Sequence, residues 1–301
     1  MRRSAPLNDT VVFLHIPKSA GTSVSEGLIR SRFKNKAFGL LDRILFGTFN
    51  KFDEVHDEIR SKLIHLQDNS IDPNWDLVTG HLSLPTIRRL FPQHSVFTIM
   101  REPRSRLISH WLYWRSLDRH ELRRLGTFAD IVVRSHVPLG VFLADQQVAV
   151  QTDNLLVRML LGKHSLIPTL DFIPRSADRA LLSEARNRIA SLGFTGLTED
   201  DQLNERIGRF IGENYQLSRS NVTKAPPEDR PVALSNELSA DTLTSLYNRS
   251  RLDRELWIDA ATPLFGNAEA AAEAAFLSTI FRHSANRDNS SYSARGLAGA
   301  A

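Results

Sequence analysis

Three short stretches place cations, hydroxyls and imidazoles where an anionic ligand and a proton acceptor would be needed. The first is VVFLHIPKSAGTS, Val11 to Ser23. Its first six residues are bulky, apolar and without strict alternation, which fits a strand buried on both faces of a mostly parallel sheet. Pro17 suits the end of that strand. Beyond Gly21 the period changes, and Val24 and Leu28 share a helical face. A strand, a tight turn and a helix start bring unpaired backbone N–H groups and the positive end of a helix dipole together, which is an anion site. Lys18 adds a point charge, and Ser19, Thr22 and Ser23 add hydroxyl donors. A capped helix after a buried strand, with Lys18 facing solvent, would leave the same local pattern.

The second stretch, SVFTIMREPRSRLISHWLYWRSLDRHELRR, runs from Ser95 to Arg124. Ser95 to Met100 reads as another buried strand, and Pro103 suits the first turn of the helix that follows. Arg101 then lies at a strand end, where open parallel sheets line their ligand crevice, and Ser109 lies about two turns along the helix. A guanidinium there can grip a terminal phosphate bidentately. The third stretch is WDLVTGHLSLP, Trp75 to Pro85. Leu77 to Thr79 forms a short strand in this reading, and Gly80 permits a turn presenting His81. A neutral imidazole can take a proton from a hydroxyl near pH 7. His15, inside the first loop, is the alternative base.

Elements able to position these groups require an α/β chain. With 301 residues, 42% of them hydrophobic, a substantial core can form. The absence of cysteine excludes a disulfide scaffold and thiolate metal sites. The ten histidines include no H-E-x-x-H or other compact ligand set, so no metal is expected. No apolar run approaches bilayer length and the first ten residues carry no secretory hydrophobic region, giving an expectation of a cytoplasmic protein. A formal charge of +4 is too mild to indicate nucleic-acid binding. The first loop also lacks the G-x-x-x-x-G-K-[ST] order of a P-loop kinase or NTPase. A nonenzymatic polyanion or nucleic-acid binder would draw on Arg101 to Arg124, with seven arginines against three acids.

These motifs resemble the sulfotransferase family 2 class, which includes heparan sulfate 2-O-sulfotransferases and bacterial relatives. FLHIPKSAGTS, Phe13 to Ser23, is similar to F-x-x-x-P-K-[ST]-[AG]-[GS]-T-S, and REPRSRLIS, Arg101 to Ser109, to R-E-P-x-x-R-x-x-S. The resemblance implies a P-loop-like, mostly parallel sheet flanked by helices. It implies an O-sulfotransferase using 3'-phosphoadenosine 5'-phosphosulfate, with a carbohydrate or small hydroxylated acceptor. By the same resemblance Lys18, Ser19, Ala20, Gly21, Thr22 and Ser23 fall at the 5' anion site, Arg101 and Ser109 at the 3'-phosphate, and His81 at the catalytic base. Asn221 and Lys224 fall on a late nucleotide-covering loop, and Asn154, Arg158 and Glu199 on acceptor-side segments. One sulfotransferase domain is expected over 1–265, with irregular helices and loops between Phe33 and Asp72. A helix over Asn267 to Phe276 and a frayed tail from Ser284 complete the expectation.

Overall fold

The structure is a computed structural model that describes residues 10–43, 52–64, 74–217 and 232–295, with side chains to residue 284. Six strands form one sheet: β1 (Val11–Leu14), β2 (Lys36–Asp42), β3 (Leu63–Ile64), β4 (Leu77–His81), β5 (Ser95–Met100) and β6 (Phe194–Leu197). Their order is β3-β2-β4-β1-β5-β6, and every pair is parallel. The main helices are α1 (Gly21–Ile29), α2 (Leu84–Leu90), α3 (Pro103–Ser116), α4 (Leu155–Leu161), α5 (Asp178–Ala190), α6 (Leu203–Ile211), α7 (Ala240–Phe265) and α8 (Ala268–Arg295). The result is a single α/β domain, a mostly parallel sheet flanked by helices.

The apolar run of β1 has the expected cause. Val12 and Leu14 face one core with α2, α4, α5 and α7, while Val11 and Phe13 face another with α1 and α6. All four side chains are buried. After β1 the chain crosses beyond β4 to build β2, whereas β5 lies on the opposite side of β1. That reversal opens a crevice at the carboxyl ends of β1, β4 and β5, where His15, His81 and Arg101 emerge.

Three expectations are corrected. The segment between Phe33 and Asp72 contributes strands β2 and β3, not only helices and loops. The pairing of β2 with β4 shifts between Ala37 and Leu40, around Gly39 at φ 72°, so the alternation that marks a strand in sequence is broken there. Gly80 sits inside β4 and makes no turn; a Cβ there would lie 2.3 Å from the Leu40 carbonyl oxygen, so glycine admits β2 beside it. The predicted frayed tail is helical as far as Arg295. Ala268, Ala272 and Phe276 give α8 a buried stripe at four-residue spacing, and Thr279 extends it. Arg104 donates to the Ala272 carbonyl and pairs with Glu273, tying α8 to α3.

Candidate active site

The loop after β1 is shaped by two left-handed, non-glycine residues, Lys18 at φ 67° and Ala20 at φ 56°. Each costs roughly 1–2 kcal/mol, so the surrounding structure must impose them. They turn the chain sharply into α1, whose first turn has no side-chain cap and no acidic residue. The N–H groups of Gly21, Thr22 and Ser23 consequently precede any intrahelical acceptor. A Cβ on Gly21 would fall 1.7 Å from His15 Nε2, so the imidazole occupies the space a side chain would need.

A cleft of about 880 Å³ opens over this loop. Lys18, Ala20, Gly21, Thr22, Ser23, His15, His81, Arg101, Ser109 and Glu199 all line it, so residues far apart in sequence converge. Ser19 does not: its hydroxyl is buried without a partner. It faces a separate small space shared with Arg106 and Asp253. Asn221 and Lys224 lie outside the described residues. Asn154 and Arg158 are drawn away from the cleft into a buried network. Asn154 accepts from the backbone N–H of Leu252, and Arg158 donates to Asp153 and to the Pro168 and Asp171 carbonyls. Asn154 ties the start of α4 to α7, Arg158 ties α4 to the loop through Pro168 and Asp171, and neither lines the cleft.

His81 ends β4 with its ring oriented by one hydrogen bond. Nδ1 lies 2.7 Å from the His15 carbonyl oxygen. Because a carbonyl only accepts, Nδ1 carries the proton and the neutral ring presents its lone pair at Nε2. Behind it, Asp42 at the end of β2 accepts from both the N–H and the hydroxyl of Ser83, holding the exit of β4. Burial lowers the His81 pKa, and Lys18 lowers it further against the raising effect of the carbonyl bond. The His15 ring lies 4.2 Å from that of His81 and is pushed well below its ordinary pKa by burial, His81 and Lys18.

Lys18 holds its ammonium 4.1 Å from the centre of the Tyr113 ring. Burial, with Arg101 nearby, lowers its pKa to about 8. Arg101 donates to Thr279 on α8 at 3.1 Å and reaches the Lys18 carbonyl at 3.5 Å. Its own pKa is lowered by burial, then raised by Glu199 and lowered again by Arg282. Glu199 supports this corner by accepting from the Glu102 N–H at 2.9 Å and from Trp257 at 3.3 Å. Glu102 in turn caps α3 through the N–H groups of Arg104 and Ser105.

Sequence reading missed His110, Tyr113, Thr279, Arg282 and His283, all of which line the cleft. Tyr113 had a usable signal, lying one helical turn beyond Ser109 on α3. The α8 residues had none, because their segment reads locally as an alanine-rich helix entering a polar tail. The same geometry removes the basis for a polyanion surface on α3: Arg104 is paired, Arg106 is buried, and Arg115 donates to the Ser135 and Val137 carbonyls.

No curated protein sequence matches the chain. Among solved structures, mouse sulfotransferase SULT7A1 complexed with PAP is similar at 14% identity, covering 90% of this chain and 89% of that one. Its TM-score is 0.31, too distant a likeness to transfer residue roles. A model of the Sulfotransferase family matches residues 7–126. That stretch supplies the Lys18 loop, His81, Arg101 and Ser109, so the part of the chain that builds the cleft floor carries the sulfotransferase-family pattern.

Proposed function

We propose that the protein transfers a sulfuryl group from 3'-phosphoadenosine 5'-phosphosulfate to a hydroxyl acceptor. The carrying observation is the uncapped N-terminus of α1, with Lys18 at its mouth and His81 and Arg101 flanking it in one cleft. The residues fit such a donor: a nest of N–H groups and an ammonium for the phosphosulfate, and Arg101 with Ser109 for the 3'-phosphate. When bound, that molecule supplies an activated sulfuryl group.

His81 Nε2 accepts the proton of the acceptor hydroxyl while the acceptor oxygen forms its bond to sulfur. The sulfur–oxygen bond to the nucleotide phosphate breaks, and its electron pair stays on the phosphate oxygen. Lys18 and the N–H groups of Gly21, Thr22 and Ser23 stabilise that developing charge. Arg101 and Ser109 fix the donor from its far end and so supply orientation. The likeness to the 2-O-sulfotransferases alone supports a carbohydrate acceptor.

Calorimetry with two products tests the donor assignment. The chain should bind 3'-phosphoadenosine 5'-phosphate more tightly than adenosine 5'-phosphate by roughly 10- to 100-fold, the scale of one charged hydrogen-bonding site. Equal affinities would refute the 3'-phosphate site. Arg101→Ala should abolish most of the preference. Arg282→Ala should reduce it by only about 2- to 5-fold, and less at high salt, because its guanidinium is exposed and screened.

The pH dependence has a defined sign. With a pKa of about 8, the Lys18 ammonium is charged below that pH and lost above it. Affinity for 3'-phosphoadenosine 5'-phosphate should therefore fall between pH 8 and 10, by up to about tenfold per unit. The Lys18→Arg variant keeps its charge and should show a flat profile there. An equally flat profile in the parent would contradict the assignment.

A further inference from the structure

We infer that the acceptor is a neutral molecule whose hydroxyl is borne on an apolar or aromatic body; this rests on the sulfotransferase reading above and narrows it. The charges and the apolar surface of the cleft occupy different places. Among the described residues, its lysine and arginine side chains are Lys18, Arg101 and Arg282. Arg101 reaches the Lys18 carbonyl, and Arg282 is close enough to depress the pKa of Arg101, so the three form one group at the nucleotide end. The donor carries a 3'-phosphate and a phosphosulfate, and a phosphate monoester alone bears close to two charges at pH 7. Among the described residues these cations match the donor and leave none over for an anionic acceptor.

The wall beyond Lys18 is of another kind. Tyr113 lies against the Lys18 ammonium, and Trp114 follows it on α3. Phe128 packs edge-on to Trp114. Leu125 lies on the same side, and Leu41 pairs in register with His81 across the sheet, placing apolar surface beside the base. A sugar would set several hydroxyls against this surface and lose their water without replacement. An acidic sugar would in addition face the donor's charge unscreened.

One buried polar group in this wall has unused hydrogen-bonding capacity. His110 is 3% exposed, its ring is 4.4 Å from that of Trp114, and neither of its nitrogens has a partner. Burial, followed by Arg106 and then Lys18, holds its pKa well below the ordinary value, so the ring is neutral at pH 7. A neutral imidazole serves a hydroxyl or carbonyl oxygen and does not neutralise a carboxylate. A few polar atoms on an otherwise apolar acceptor suit this lining, which presents His110 and Gln151 among its aromatic and leucine side chains.

The test compares initial transfer rates from 3'-phosphoadenosine 5'-phosphosulfate to 2-naphthol, methyl glucopyranoside and a uronic-acid oligosaccharide, using the full chain. We expect kcat/KM for 2-naphthol to exceed both others by at least about 10-fold, the discrimination a hydrophobic pocket gives. Leu125→Gln and Leu41→Gln should each raise KM for 2-naphthol several-fold while affinity for 3'-phosphoadenosine 5'-phosphate stays unchanged. Preference for either sugar, or transfer to none of the three by a protein that still binds 3'-phosphoadenosine 5'-phosphate, would overturn the inference. Unchanged KM in both leucine variants would also overturn it. Failure to bind the nucleotide would instead remove the sulfotransferase reading and this inference with it.

Discussion

Replacing Lys18 by alanine is expected to lower sulfuryl transfer by roughly 10²- to 10³-fold, the scale for losing one donor aimed at developing charge. The melting temperature should change little. Lys18 is only partly buried, and its ammonium makes a single ring contact, with Tyr113. An aromatic contact of that kind contributes about 0.5–1 kcal/mol at an exposed site and about 2 kcal/mol when desolvated, and Lys18 lies between these limits. Truncation also removes an ammonium whose pKa is lowered by burial and by Arg101, so part of the lost contact is offset by relief of that repulsion. The two measurements should therefore separate on one preparation, with a small shift in melting and a large loss of rate. Normal transfer by Lys18→Ala would return the loop to the reading in which its lysine simply faces water.

His81→Ala should retain nucleotide affinity and lose about 10²-fold or more in turnover, as expected for removal of a general base. His15→Ala should lose less. No hydrogen bond among the described residues fixes the His15 ring, whereas the carbonyl of His15 fixes that of His81. The His15 variant nonetheless opens the space over Gly21, so its nucleotide affinity must be measured beside its rate. In the parent, the acid limb of the turnover profile should lie below pH 6.5, because burial lowers the His81 pKa and keeps the base neutral to lower pH. His81→Ala turning over at the parental rate with saturating acceptor would transfer the role to His15 or Glu199. Glu199 is the weaker substitute: its carboxylate already accepts from Glu102 and Trp257, although burial raises its pKa.

The strand before the Lys18 loop, the turn into α1 and the start of α3 were legible in sequence because each is a local device. An apolar run buried on both faces, a proline at a strand end and a proline in a first helical turn all act within a few residues of chain. The orientation of each side chain was not legible. Ser19 and Thr22 look equivalent as hydroxyl donors, yet the left-handed turns at Lys18 and Ala20 bury one and expose the other. Likewise, Asn154 and Arg158 have the spacing of a paired helical face, but the Leu252 N–H on α7 engages Asn154, while Asp153 and the Pro168 and Asp171 carbonyls engage Arg158.

By itself the sequence determined that strand-turn-helix units would form, with a lysine, an arginine and a histidine near strand ends. Only the tertiary structure decided that they share one cleft and in which protonation states. The reversal of strand order brings the ends of β1, β4 and β5 together. The carbonyl of His15 selects the proton position on His81, and burial beside Arg101 brings Lys18 to a pKa of about 8. The apolar stripe of α8 places Thr279 on Arg101 and makes a wall of the cleft from residues that lie mostly beyond the expected helix end at Phe276. Local hydrogen bonding and periodicity act along the chain and can be read there; desolvation and charge coupling depend on distances between remote residues, which exist only after packing.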